Sequence, residues 1–202
     1  MEYNECAKTL ADSGGRALGA LISRFKEFRD LGYKTFMTLF HSGVQPILTY
    51  ASSVWGMKPY KDIDKIYNRA CRYYLGTHKF TPIAAMYGEM GFLPAIFHRQ
   101  VNALTLWNRI LDMTPERLTR KVLILDCQSA MGWSKDIKLL FECINMGNLF
   151  TNLSKCDINQ AIIKLEQYHE GNWKNILNNK PKLRTYNKFK TSLEPANYLT
   201  WN

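Results

Sequence analysis

Apolar residues recur at three- and four-residue spacing along most of this chain, the period of one face of an α-helix. The series Leu18, Leu21, Ile22, Phe25 and Phe28 predicts a first helix over residues 4–29. Gly14-Gly15 weakens its first half, so a bend or a frayed start is expected there. Gly32 marks a turn, and Phe36, Phe40, Val44, Ile47, Leu48, Ala51 and Trp55 continue the period over residues 34–55. Pro46 has no N–H, and its ring presses on the carbonyl of Ser42, which predicts a kink that Gly43 makes room for. Gly56 and Pro59 end this second helix.

Residues 60–75 form the cleanest amphipathic pattern. Ile63, Ile66, Tyr67, Ala70 and Tyr74 gather on one face, and Lys61, Lys65, Arg69 and Arg72 on the other. Gly76 is a natural stop. Thr81-Pro82 reads as an N-cap followed by proline at the first helical position, opening a short helix that ends near Gly88. Gly91 and Pro94 frame a turn into a helix over 94–112 with Val101, Leu104, Trp107, Ile110 and Leu111 on its core face. Thr114-Pro115-Glu116 repeats the cap-and-proline signal. Helices are expected over 115–126, over 135–146 with Ser134 as cap, and from an Asp157 cap to about Leu177. Leu183, Tyr186 and Phe189 suggest a short final helix. No long strand-like alternation occurs, and the fold class that follows is all-α: a helical bundle over 1–113 and a C-terminal helical extension over 114–202.

One stretch raises the question of a membrane. Residues 35–57 contain no Asp, Glu, Lys or Arg, but Thr35, Thr38, His41, Ser42, Gln45, Thr49, Ser52, Ser53 and Pro46 interrupt them. A spanning helix wants about 20 predominantly apolar residues, so the stretch reads as a helix buried in a bundle. The five cysteines are scattered, form no C-x-x-C pair and have no close histidine partners. They read as reduced, mostly buried thiols of an intracellular protein, nuclear or cytoplasmic and not secreted.

Charge changes the picture more. The chain carries 27 basic and 17 acidic side chains, a net +10, which favours an anionic partner. The excess is shared evenly: 14 basic and 9 acidic in residues 1–113, 13 and 8 in residues 114–202. Two clusters concentrate it. The stripe Lys61, Lys65, Arg69 and Arg72 could track phosphates, or could be the solvated face that every amphipathic helix has. The segment from Trp173 to Leu193 carries Lys174, Lys180, Lys182, Arg184, Lys188 and Lys190 without an acidic residue, interleaved with Trp173, Tyr186 and Phe189. Cations with aromatics suit single strands, where bases stack on rings; alternatively the aromatics dock the segment on the bundle.

Catalytic signals are weak. Asp62 and Asp64 sit at a helix start, where carboxylates favour the positive dipole end. The four histidines are isolated, and no nucleophile elbow, zinc-protease or phosphate-loop motif is present.

Four stretches, in order, resemble the region after the catalytic domain in reverse transcriptases of non-LTR (LINE-type) retrotransposons. They are Arg16-Ala17-Leu18-Gly19-Ala20-Leu21; Pro46 to Gly56, with Tyr50-Ala51-Ser52-Ser53-Val54-Trp55-Gly56 at its end; Ala70 to Gly76, followed by Thr81 to Pro94; and Lys182 to Lys190, with Tyr198-Leu199 behind it. The resemblance implies a thumb followed by a helical connector, without fingers, palm or endonuclease, as in a truncated element copy or a gene-model fragment. It implies a piece of an RNA-directed DNA polymerase that grips an RNA/DNA hybrid or other nucleic acid without sequence preference. The Asp-Asp pair of the family is absent, so no activity is expected from this chain alone, and magnesium would belong to the missing palm. The other expected partner is that palm. A helix left without it exposes apolar surface around Leu18 to Phe28 and is expected to self-associate. The competing reading is a basic helical module that binds protein and has no role with nucleic acid.

Overall fold

A computed structural model describes residues 3–27, 32–129 and 131–200. Among these residues the chain is all-α: thirteen α-helices, one π-helical and one 3-10 turn, and no β-strand beyond an isolated bridge between Met90 and Pro195. The helices fall into two compact units that interleave in sequence. An inserted unit comprises residues 51–59 and 96–168, and a terminal unit comprises residues 3–50, 60–95 and 169–200. The division expected at residue 113 falls within the inserted unit.

In the terminal unit, α1 (Asn4–Glu27) runs unbroken through Gly14 and Gly15. Gly14 is where α3 (Gln45–Leu48) comes closest: a Cβ there would lie 2.3 Å from the Leu48 side chain. The missing side chain permits helix approach rather than a bend. Leu18 is fully buried and Phe25 packs edge-on against Phe36, so much of this apolar face is covered by the chain itself. Phe28 lies outside the described residues.

The single helix expected over 34–55 is instead several pieces. α2 (Tyr33–Leu39) passes into a π turn at Phe40–Val44, and the Gln45 N–H bonds the Phe40 carbonyl five residues back. The wider turn absorbs Pro46, which cannot donate to the carbonyl four residues before it. After α3 the chain turns, Ala51 takes a left-handed conformation (φ 51°), and α4 (Ser52–Trp55) is a single turn. α5 (Lys61–Leu75) follows expectation and ends on left-handed Gly76. Phe36, Phe40, Ile63, Tyr67 and Phe92 fill the core of this unit, with Phe40 at 5.2 Å from Tyr67 and 5.5 Å from Phe92.

α6 (Ile83–Met90) begins one residue later than its Thr81-Pro82 signal suggests. Pro82 occupies the N-cap, without a side-chain cap bond. α7 (Ala95–Leu111) carries the expected core face, with Leu104, Trp107, Ile110 and Leu111 buried. α8 (Leu118–Ser129) starts after Pro115 has spent itself in a turn. α9 (Gly132–Cys143) contains Ser134 rather than being capped by it: the Asp126 carboxylate of α8 accepts the Ser134 N–H at 3.1 Å. α10 (Gly147–Thr151) has no sequence counterpart, being too short to show a period. α11 (Ile158–Asn178) is capped by Asp157, whose Oδ1 accepts the Asn159 N–H at 2.9 Å. A 3-10 turn at Pro181–Leu183 leads into α12 (Arg184–Phe189), and α13 (Asn197–Thr200) is the last element among the described residues.

The core of the inserted unit is built around Trp107. Its ring meets Phe141 edge-on at 5.5 Å and stacks with Phe150 at 5.7 Å, and its Nε1–H donates to the Ser154 carbonyl at 3.0 Å. The α4 turn is clasped by three side chains. Fully buried Arg99 donates to the carbonyls of Gly56 (3.1 Å) and Lys58 (3.2 Å), Asn102 to Ser52 Oγ (3.0 Å), and Trp133 to the Ser53 carbonyl (2.7 Å). A Cβ on Gly56 would lie 2.8 Å from Arg99 Cβ, so the Ser52-Ser53-Val54-Trp55-Gly56 run has a packing role in this unit.

Candidate nucleic-acid interface

Both cation clusters lie in the terminal unit, and their circumstances differ. On α5, Lys61, Lys65 and Arg69 are exposed and Arg72 is half-buried. Lys65 pairs with Asp62 at 2.7 Å, which holds the Asp62 carboxyl below its ordinary range. α1 lies beside α5 and runs in the same direction. Arg69 reaches the Gly15 carbonyl at 3.5 Å, and the Tyr73 hydroxyl donates to the Ile22 carbonyl at 3.3 Å. Arg72 Nε is buried and finds no hydrogen-bond partner among the described residues. Only Lys61 combines full exposure with no ion pair or hydrogen bond among the described residues. The carboxylates Asp62 and Asp64 are not gathered into a metal-holding group, and no cluster of three His, Cys, Asp or Glu side chains occurs among the described residues.

The C-terminal cluster is presented on a fixed support. Trp173 is buried and its Nε1–H donates to the Ala84 carbonyl at 2.8 Å, while the Tyr186 hydroxyl donates to the Ala85 carbonyl at 3.1 Å. Both rings bear on α6 at Gly88, where a Cβ would lie 2.4 Å from the Tyr186 hydroxyl and 2.8 Å from the Trp173 ring. Ala84, Trp173, Leu177 and Leu183 form a buried cluster, with Tyr186 and Leu193 packed against it. Burial, helped by the neighbouring Glu89 carboxylate, pushes the Tyr186 hydroxyl far above its usual range. Tyr198 donates to Glu89, at 2.6 Å, and is pushed up to about 12, burial being the larger cause. Of the three aromatics offered by the sequence, two therefore dock the segment and one, Phe189, stands 82% exposed.

The six cations divide likewise. Lys174 pairs with Glu170 at 3.2 Å, and Lys190 donates to the Glu194 carbonyl at 2.7 Å. Lys180, Lys182, Arg184 and Lys188 are exposed, and no carboxylate pairs with any of them among the described residues. Beside Lys180 opens a cavity of about 310 Å³ lined also by Ile83, Tyr87, Phe92, His169 and Trp173. Burial pushes His169 down from 6.5 to about 4, so it is neutral at physiological pH.

One group in this unit escaped the sequence reading. Between Gly76 and Thr81 the loop residue Phe80 is 80% exposed, with Lys79 Nζ 5.1 Å from its ring centroid. The Thr77-His78-Lys79-Phe80 run is a basic–aromatic signal in the sequence, set in the loop between α5 and α6. Among the described residues no helix is long and apolar enough to cross a membrane.

Two segments far apart in sequence, Thr81 to Pro94 and Lys182 to Lys190 with Tyr198 behind it, meet in this unit. Residues of the first (Ala84, Ala85, Gly88, Glu89) are bonded to or packed against Tyr186 and Tyr198, more than ninety positions on. No family model, no curated protein and no solved structure matches this chain.

Proposed function

We propose that this chain is a non-catalytic nucleic-acid-gripping module, equivalent to the thumb and helical connector of a LINE-type reverse transcriptase. The observation that carries the reading is the set of unpaired cations Lys180, Lys182, Arg184 and Lys188, displayed on a segment anchored to α6 by Trp173 and Tyr186. Anchoring matters because a fixed row of charges loses less conformational entropy on meeting a phosphate backbone than a flexible tail does. Phosphate contacts position a duplex without reading its bases, and the A-like form of an RNA/DNA hybrid is recognised by shape, phosphates and 2′-hydroxyls. Phe189, and on the α5–α6 loop Phe80, offer faces on which an unpaired base can stack.

The test is anisotropy with a labelled hybrid duplex across a salt series. Four neutralised phosphates give a slope of about −3.5 in log K against log salt, roughly a hundredfold loss between ~50 and ~200 mM. Absence of binding at the low-salt end removes the reading. A protein-binding module without a nucleic-acid role is the second reading, favoured by the exposed apolar row Leu118, Val122 and Leu125; retention of a protein partner after nuclease treatment, with no hybrid binding, is its signature.

A further inference from the structure

Among the described residues, the longest helical row of exposed apolar side chains lies on α8 of the inserted unit. Leu118, Val122 and Leu125 are 75%, 52% and 64% exposed, and Ser129 continues the row, also exposed. The steps of four, three and four residues are those of a heptad seam, with Leu118 and Leu125 at d positions and Val122 and Ser129 at a positions. The opposite side of the helix is occupied: Leu123 is buried, and Ile124 and Cys127 are half-buried. The seam is flanked by Lys121 and Gln128 on one side and by Thr119 and Asp126 on the other.

We propose that α8 is a self-recognition surface, and that two copies of this chain pair through it with their α8 helices parallel. Two features select this occupant. A β-branched residue at a with leucine at d is the combination that favours parallel two-stranded pairing. In a parallel pair the g position of one helix faces the e position of its partner five residues on. That places Lys121 against Asp126 of the second copy and gives two symmetric ion pairs. In an antiparallel pair like flanks meet, so Lys121 faces the Lys121–Gln128 side and Asp126 the Thr119–Asp126 side, with no ion pair. Asp126 has capacity to spare, since one oxygen accepts the Ser134 N–H and the other can take Lys121.

The association is weak. The helix offers under two heptads, well short of the area a stable dimer buries, and the dissociation constant is expected on the order of 100 µM. Each copy carries +10, so raising salt screens the general repulsion as well as the two rim ion pairs and leaves the apolar seam intact. Salt therefore leaves this contact standing where it removes phosphate binding, so failure of one reading is visible apart from failure of the other.

Sedimentation velocity from about 10 to about 500 µM gives the first readout. A monomer–dimer equilibrium is expected that holds or tightens from ~0.1 to ~0.5 M salt, and that Leu125→Glu weakens at least tenfold. Lys121→Glu is expected to weaken it several-fold. Orientation is read by cross-linking: Val122→Cys, with Cys6, Cys127 and Cys143 changed to serine, oxidises to a symmetric dimer when the helices are parallel. Val122 is exposed, so this variant keeps its fold, as circular dichroism checks. A monomer across the whole range, a dimer indifferent to Leu125→Glu, or cross-linking only between V122C and L125C chains overturns the proposal.

Discussion

The α5 stripe and the segment from Lys180 to Lys190 carry the same kind of charge in the same unit, and only one of them keeps it available. On α5 the cations follow an ideal helical period, yet the neighbouring helix takes Arg69 onto a backbone carbonyl, Asp62 takes Lys65, and Arg72 is partly covered. The C-terminal segment has no such regularity, passing through a 3-10 turn into a short helix, yet Lys180, Lys182, Arg184 and Lys188 stand clear on a support that Trp173 and Tyr186 anchor. Periodicity marks which residues share a face, whereas tertiary neighbours decide what remains free on that face. An irregular segment held by buried rings can be the better display.

The comparison breaks most readily at the anchor. Trp173→Ala leaves a cavity beside Ala84 and Leu177 and is expected to cost about 3–5 kcal/mol of stability in the terminal unit, measured by urea denaturation. It also weakens hybrid binding, since the cations lose their support; unchanged binding would show that display needs no anchor. Next in size, the triple charge reversal K182E/R184E/K188E is expected to reduce hybrid affinity about a hundredfold at low salt and to flatten the salt slope by roughly three units. Equal losses from Lys61→Glu would erase the distinction between the two clusters.

Acid sharpens the contrast further. His169 lines the cavity beside Lys180 and is held at about 4 by burial, against 6.5 when exposed. Between these values the unfolded chain binds the proton more tightly, so stability is full above about pH 6.5 and falls as pH drops toward 4. The loss between pH 7.5 and 5.5 is roughly 1 kcal/mol by urea midpoint, and His169→Gln should flatten it. Phe189→Ala is expected to weaken single-strand binding by about 1 kcal/mol while sparing hybrid duplex. Smallest of all, K61E/K65E should change hybrid affinity by less than about threefold, because Lys65 is already paired.

Long helices were legible because their apolar period persists over several turns: α1, α5, α7 and α11 lie within a few residues of expectation. Legibility failed where the backbone departs from that period for tertiary reasons. Nothing in Thr49-Tyr50-Ala51 announces a left-handed alanine, and the clasp that holds the turn comes from Arg99, Asn102 and Trp133, far along the chain. Ser134 has the look of a cap, but Asp126 from the preceding helix performs that task. Of the candidate interface, residue types and positions were readable; the partition into engaged and available cations was not, since Gly15 and Asp62 compete for them only once α1 and α5 have formed. The role of Gly88 was equally hidden, because the rings that forbid it a side chain come from residues 173 and 186.

The interleaving of the two units bears on synthesis. The cluster of Ala84, Trp173, Leu177 and Leu183 joins residues from far-apart parts of the chain, with residues 96–168 emerging from the ribosome in between. The terminal unit therefore waits, its α6 flank uncovered, until residues 173–186 have emerged, while the inserted unit is complete in sequence by residue 168. Closing so long a loop is slow relative to local helix formation, which makes the nascent chain, rather than the finished one, the species most in need of a chaperone.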